Sequence, residues 1–241
     1  MPEAVQLFVS THGTQAMRAR QQGILEAYRA DIARYAETPA HTQRIRTIFD
    51  AMPAQLNKEN RRFLVTGIDK RKRFLDLQPD FDWLVNAGVA IPVKRVSEPM
   101  FPLGLSREDS FFKFYLSDVG LLFSTFSPAD VEAIVAQRES INFGQAFENA
   151  VAQELRACGY SSLSYFNAAK VGEVDFIIED KRSPVALPVE VKSGRYSTKH
   201  VALDRLMSVE NYGLTRAVVL HRDNVVDGKA ILYLPLYMGI C

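Results

Sequence analysis

Two short runs constrain this chain of 241 residues more than anything else in it: Gly172-Glu173-Val174-Asp175-Phe176-Ile177-Ile178 and, after a short turn, Pro188-Val189-Glu190-Val191-Lys192-Ser193-Gly194. Apolar, largely β-branched or aromatic residues alternate with polar ones, which predicts two consecutive strands. Successive side chains of a strand point to opposite faces, so Val174 and Phe176 are expected on one face and Glu173 and Asp175 on the other. In the second strand Val189 and Val191 share the buried face, leaving Glu190 and Lys192 opposite them. Adjacent strands of this kind bring Asp175, Glu190 and Lys192 together.

Carboxylate oxygens in such a cluster suit Mg²⁺ or Mn²⁺, which keep several waters and bridge to phosphate oxygens. A phosphodiester resists hydrolysis because its charge repels a nucleophile. A metal ion neutralises that charge and lowers the pKa of bound water. Lys192 is the candidate catalytic lysine, orienting the attacking water or stabilising developing negative charge. Glu148, on the helix before these strands, is the candidate third metal ligand beside Asp175 and Glu190. The plain alternative is an exposed Glu190–Lys192 ion-pair ladder, with Glu173 a solvated strand residue and Ser193 and Arg195 part of a polar turn.

The rest of the chain predicts a mixed α/β (α+β) protein with a boundary near residue 130. Residues 1–130 read as a helical, winged-helix-like domain. Ile24, Ala27, Tyr28, Ile32 and Tyr35 recur at helical spacing over 15–36, a second helix covers 41–51 with Pro53 closing it, and a third ends at Gly88. Strands at 89–96 and 111–116 stand as the wing, and Trp83 as a core residue. Residues 131–241 read as a restriction-endonuclease-like mixed-sheet domain. A helix with the apolar stripe Phe143, Phe147, Val151 and Leu155 leads to strands at 162–166, 173–179, 186–191, 217–221 and 230–234, with a helix over 199–212.

The 29 basic and 28 acidic residues give a net charge of +1, so attraction to a polyanion must be local. The candidate is the segment 58–73, where Arg61, Arg62, Arg71, Lys72 and Arg73 offer phosphate contacts around Phe63, against the alternative of a solvated face. His12, His41, His200 and His221 have no ligand spacing. Cys158 and Cys241 are too few for a disulfide framework or zinc cluster, which fits a reducing cytoplasm. The amino terminus has no basic region before an apolar run, and no apolar stretch nears the ~20 residues of a membrane span. The expectation is a soluble, cytoplasmic protein with no membrane partner.

An upstream Glu, then Asp, then Glu-x-Lys on neighbouring strands resembles the PD-(D/E)xK nuclease superfamily over about residues 141–236, although the usual Pro before the Asp is absent. A second resemblance runs from about Arg20 onward. The run 51–60 (Ala-Met-Pro-Ala-Gln-Leu-Asn-Lys-Glu-Asn), Asp82-Trp83-Leu84-Val85-Asn86-Ala87-Gly88, the run from Phe112-Lys113-Phe114-Tyr115 to Leu122, and Gly144 to Glu148 carry it. They resemble the carboxy-terminal portion of predicted prokaryotic AAA-type ATPases, a domain of unknown function joining a winged-helix-like part to a nuclease-like part. The resemblance implies an AAA-type ATPase partner. The only Gly-Lys pair, Gly228-Lys229, is followed by Ala230, so no phosphate loop and no ATP site is expected in this chain. The ATPase half is then missing or supplied by another polypeptide. Three functions follow as expectations: a Mg²⁺- or Mn²⁺-dependent nuclease hydrolysing DNA phosphodiesters, a non-catalytic DNA- or protein-binding adaptor coupled to an ATPase, or an oligomerisation or docking platform for the ATPase formed by the first 130 residues.

Overall fold

The computed structural model describes residues 1–36, 38–58, 62–135, 144–181, 183–194 and 198–239. They form a mixed α/β chain, helical in its amino-terminal part and followed by a mixed sheet, as the patterning predicts. Two compact units interleave along the sequence: Met1–Ile91 with Phe114–Ile141, and Pro92–Lys113 with Asn142–Cys241. The stretch 92–113, assigned by its sequence to the first domain, is thus built into the second unit.

The first unit contains α1 (Pro2–Thr11), α2 (Thr14–Tyr35), α3 (Pro39–Leu56), α4 (Phe74–Asn86), α5 (Val119–Ser124) and α6 (Pro128–Val135). Thr38 opens α3 by accepting the His41 backbone N–H at 3.2 Å, and Pro39 takes a first-turn position where no N–H partner is needed. Ile45, Ile48, Phe49, Met52 and Leu56 make its buried stripe. Pro53 does not close α3 but lies within it, because the stripe continues past the one forfeited N–H bond to Leu56. α4 starts earlier than its apolar residues suggest: the Asp76 carboxylate accepts the Arg73 N–H at 2.8 Å and fixes the first turn. It ends as expected at Gly88, whose φ of 70° is left-handed while the Val89 N–H bonds back to the Leu84 carbonyl at 3.0 Å. Trp83 is half-buried and lines a cavity of about 390 Å³ with Tyr28, Asp31, Asn86, Ala87 and Val89.

The remaining elements are β1 (Ala90–Val96), β2 (Arg107–Leu116), α7 (Gly144–Ala157), β3 (Leu163–Ala168), β4 (Gly172–Glu179), β5 (Ala186–Val191), α8 (Val201–Met207), β6 (Ala217–His221), β7 (Val226–Asp227) and β8 (Ile231–Pro235). The sheet order is β2-β1-β3-β4-β5-β6-β8-β7. β3, β4 and β5 run antiparallel to one another, and β5, β6 and β8 are parallel, with α8 crossing between β5 and β6. β1 and β2 are not a free-standing wing. β1 pairs in parallel with β3, Val93 facing Leu163, and β2 lies outside it. An isolated strand pair is marginal in water, and pairing with β3 helps bury Val93 and Val96 completely.

Strict alternation fails in β4. Between Ser164 and Phe166 of β3 the register advances two residues, while β4 advances three, from Ile177 to Val174. The extra residue is a β-bulge at Asp175–Phe176. Ile177, rather than Phe176, therefore joins Val174 in the core with Val96, Leu103, Phe166, Ala186, Leu203, Leu206, Ala217 and Val219. Since Ile177 is fully buried there, Ile177→Ala is expected to cost about 2–5 kcal/mol in denaturant unfolding. A loss typical of a surface position contradicts this packing.

Candidate functional site

β4 and β5 place the acidic residues. Phe176 faces Val189 and Ile177 faces Pro188, and continuing this antiparallel register brings Asp175 opposite Glu190. The bulge frees the Asp175 side chain to reach across: its Oδ2 accepts the Val191 backbone N–H at 2.9 Å. Lys192 follows β5, held by its own N–H to the Leu220 carbonyl at 2.8 Å. Its Nζ donates to Glu190 Oε1 at 2.5 Å. The sequence-predicted trio is brought together, and Glu190–Lys192 is an ion pair with a buried acid rather than an exposed ladder.

Glu148 joins from α7. Phe143 of the expected stripe lies outside the described residues, Phe147 is half-buried, and Val151 and Leu155 are buried. The buried face also carries Gln145, Glu148 and Asn149 beside Ala152, so polar side chains stand at helical spacing where a purely structural helix keeps apolar ones.

Lys113 completes the cluster and was not anticipated. It lies on β2, is fully buried, and sets its ammonium 2.6 Å from Glu173 Oε1, 3.7 Å from Glu148 Oε2 and 3.8 Å from Asp175 Oδ1, over the Tyr165 ring. Glu173 is accordingly no plain solvated residue: its second oxygen accepts from Asn167 Nδ2 at 2.9 Å. The signal available in the sequence was a lysine inside the apolar run Phe111 to Leu116, a position that isolates a charge unless acids meet it.

The balance of charge is uneven. Glu148, Glu173, Asp175 and Glu190 meet Lys113 and Lys192, four carboxylates to two ammonium groups, a formal −2 for these six if every group is ionised. Glu190 registers the excess. Burial first, then the charge of Asp175, push its carboxyl up to about 8, with Lys192 opposing and Glu148 adding to the rise. Its Oε2 is buried without a hydrogen-bond partner among the described residues. Hard oxygen donors with surplus negative charge fit a divalent cation. Among the described residues, however, no three Asp, Glu, His or Cys side chains form a ready coordination shell; an ammonium stands between three of the acids instead.

The proposed phosphate-binding residues are less uniform than their sequence. Arg71 is almost wholly exposed, 4.0 Å from Asp69, Arg73 is exposed, and Lys72 and Arg62 are half-buried. Arg61 lies outside the described residues, as does Arg195. Phe63 is buried, edge-on to Phe81 and Phe114 at 5.2 and 5.9 Å, so it packs the first unit's core and offers no surface for stacking. Two of the histidines, unremarkable by spacing, flank Tyr233: His200 Nε2 lies 2.7 Å from its hydroxyl and Nδ1 2.9 Å from Asp204, and His221 packs against its ring. Cys158 is disulfide-bonded, and Cys241 lies outside the described residues. No described helix is long and apolar enough to cross a membrane.

Residues 1–130 match the family model described as a domain of unknown function, DUF8612, and residues 143–237 match another, DUF4143. No curated protein and no solved structure matches the chain.

Glu190 makes stability pH-dependent. Its raised folded-state pKa means the folded protein holds a proton that the unfolded chain releases between about 4.5 and 8. Its contribution is fully present below that window and is lost as pH rises through it. Denaturant midpoints between pH 5 and 8 should fall for the wild type and flatten in Glu190→Gln; equal slopes contradict the assignment.

Proposed function

We propose that this chain, which belongs to the DUF8612 family of unknown function, carries a metal-dependent centre that hydrolyses DNA phosphodiesters. The observation behind the proposal is the buried set Glu148, Asp175 and Glu190, drawn from α7, β4 and β5, in which burial and the charge of Asp175 push the Glu190 carboxyl up to about 8. These three would hold Mg²⁺ or Mn²⁺. When bound, the ion would supply charge neutralisation and an activated water. Asp175 is fixed by the Val191 N–H, which sets the direction of its free oxygen. Lys192, tied to Glu190 at the half-buried end of β5, is placed to steady the attacking water or the negative charge that develops on phosphate. Arg71, Lys72 and Arg73 would neutralise backbone phosphates.

A second reading has its own support. Lys113 already meets Glu148, Glu173 and Asp175, which is how a closed structural ion cluster is built. In that reading the chain is a non-catalytic DNA- or protein-binding adaptor. In either reading an AAA-type ATPase is the proposed partner, and the chain's own Gly228-Lys229-Ala230 supplies no ATP site.

Calorimetric titration of Mn²⁺ into wild type, Asp175→Asn and Lys192→Met, followed by incubation with supercoiled DNA, separates the two. The nuclease reading predicts that Asp175→Asn, which keeps an acceptor for Val191, folds but loses Mn²⁺ binding and nicking. Lys192→Met should retain Mn²⁺ and nick about 100-fold more slowly or worse. A folded wild type that binds no Mn²⁺ and leaves DNA intact makes the adaptor the better reading.

A further inference from the structure

We infer that Lys113 is the resident cation of this centre, its ammonium competing with a divalent ion for Glu148 and Asp175 and holding down the centre's affinity for that ion. The inference rests on the metal reading above and adds a residue that the sequence-derived set of Asp175, Glu190, Lys192 and Glu148 does not contain.

The geometry sorts the three acids around Lys113. Glu173 is its close partner at 2.6 Å, and Asn167 holds the other oxygen of Glu173 at 2.9 Å. That pair is fixed from both ends. Glu148 and Asp175 lie at 3.7 and 3.8 Å, beyond a normal hydrogen bond yet close enough for strong attraction where water is excluded. Lys113 is fully buried on β2, so its charge has no solvent to retreat to and must be met by these acids. A dication bound by Glu148 and Asp175 would stand near a fixed positive charge and share its two weaker partners. The ammonium thus keeps those carboxylates compensated without metal and opposes the metal when it arrives. Glu173 tempers this opposition by drawing the ammonium to itself.

Opposite signs are therefore expected from the two ends of the pair. Lys113→Met should bind Mn²⁺ about tenfold more tightly than wild type, the scale of removing one nearby like charge. Glu173→Gln should bind it more weakly, because Lys113 then turns to Glu148 and Asp175. Lys94→Met is the control for net charge: Lys94 sits on β1, paired with Asp109 near the surface, and its loss should leave Mn²⁺ affinity unchanged. The measurement is Mn²⁺ titration followed by calorimetry and by the electron paramagnetic resonance of free Mn²⁺, on protein whose folding is checked by circular dichroism.

If wild type binds Mn²⁺ and Lys113→Met binds it no more tightly, the inference is overturned while the metal reading stands. If neither wild type nor Lys113→Met binds Mn²⁺, both are overturned. If Lys113→Met does not fold, Glu173→Gln decides: weaker binding supports the inference, and unchanged or tighter binding overturns it.

Discussion

Taking a carboxylate out of water costs several kcal/mol unless a cation or a donor meets it. The second unit takes Glu148, Asp175 and Glu190 almost completely out of water, with Glu173 half-buried beside them. Each local feature around them answers that cost. The bulge in β4 lets Asp175 accept a main-chain N–H from β5, Lys192 closes on Glu190, and a lysine embedded in an apolar strand supplies charge to the other three. The compensation is incomplete at Glu190, whose second oxygen has no hydrogen-bond partner among the described residues and whose carboxyl holds its proton toward pH 8. Acids that served only to hold the fold together would be cheaper as apolar residues of similar size.

The sheet makes this arrangement rigid. Fully buried Val174, Ile177 and Val219 anchor β4 and β6 around β5, so the acids stand on strands fixed by the core below them. β2 reaches the centre only because β1 and β2 extend the same sheet. A wing standing apart from the sheet would have left Lys113 without its acids. The departure from the winged-helix expectation and the composition of the site are thus one structural fact.

Most of the strands were legible because their alternation and bounding turns are local properties. Residues 186–191 and 217–221 are strands with the expected limits, and Asp175, Glu190 and Lys192 meet because neighbouring antiparallel strands carry them. What was hidden depends on tertiary pairing. A bulge is set by the partner strand, so the sequence alternation put Phe176 where Ile177 belongs. The contact of Lys113 with Glu173 spans 60 positions and carries no periodic signal. The basic segment misled in the other direction: its aromatic, Phe63, looks available in sequence and is consumed by the core.

The central claim is that Glu148, Asp175 and Glu190 form a site for a divalent ion. Crystals grown with Mn²⁺ and measured for anomalous scattering at the manganese edge test it most directly. The account predicts one ordered peak bonded to carboxylate oxygens of Glu148, Asp175 and Glu190, with the Lys113 ammonium drawn toward Glu173. Density in which the Lys113 ammonium still bridges Glu148, Glu173 and Asp175, with no manganese peak at saturating Mn²⁺, would contradict it and make the cluster a structural one.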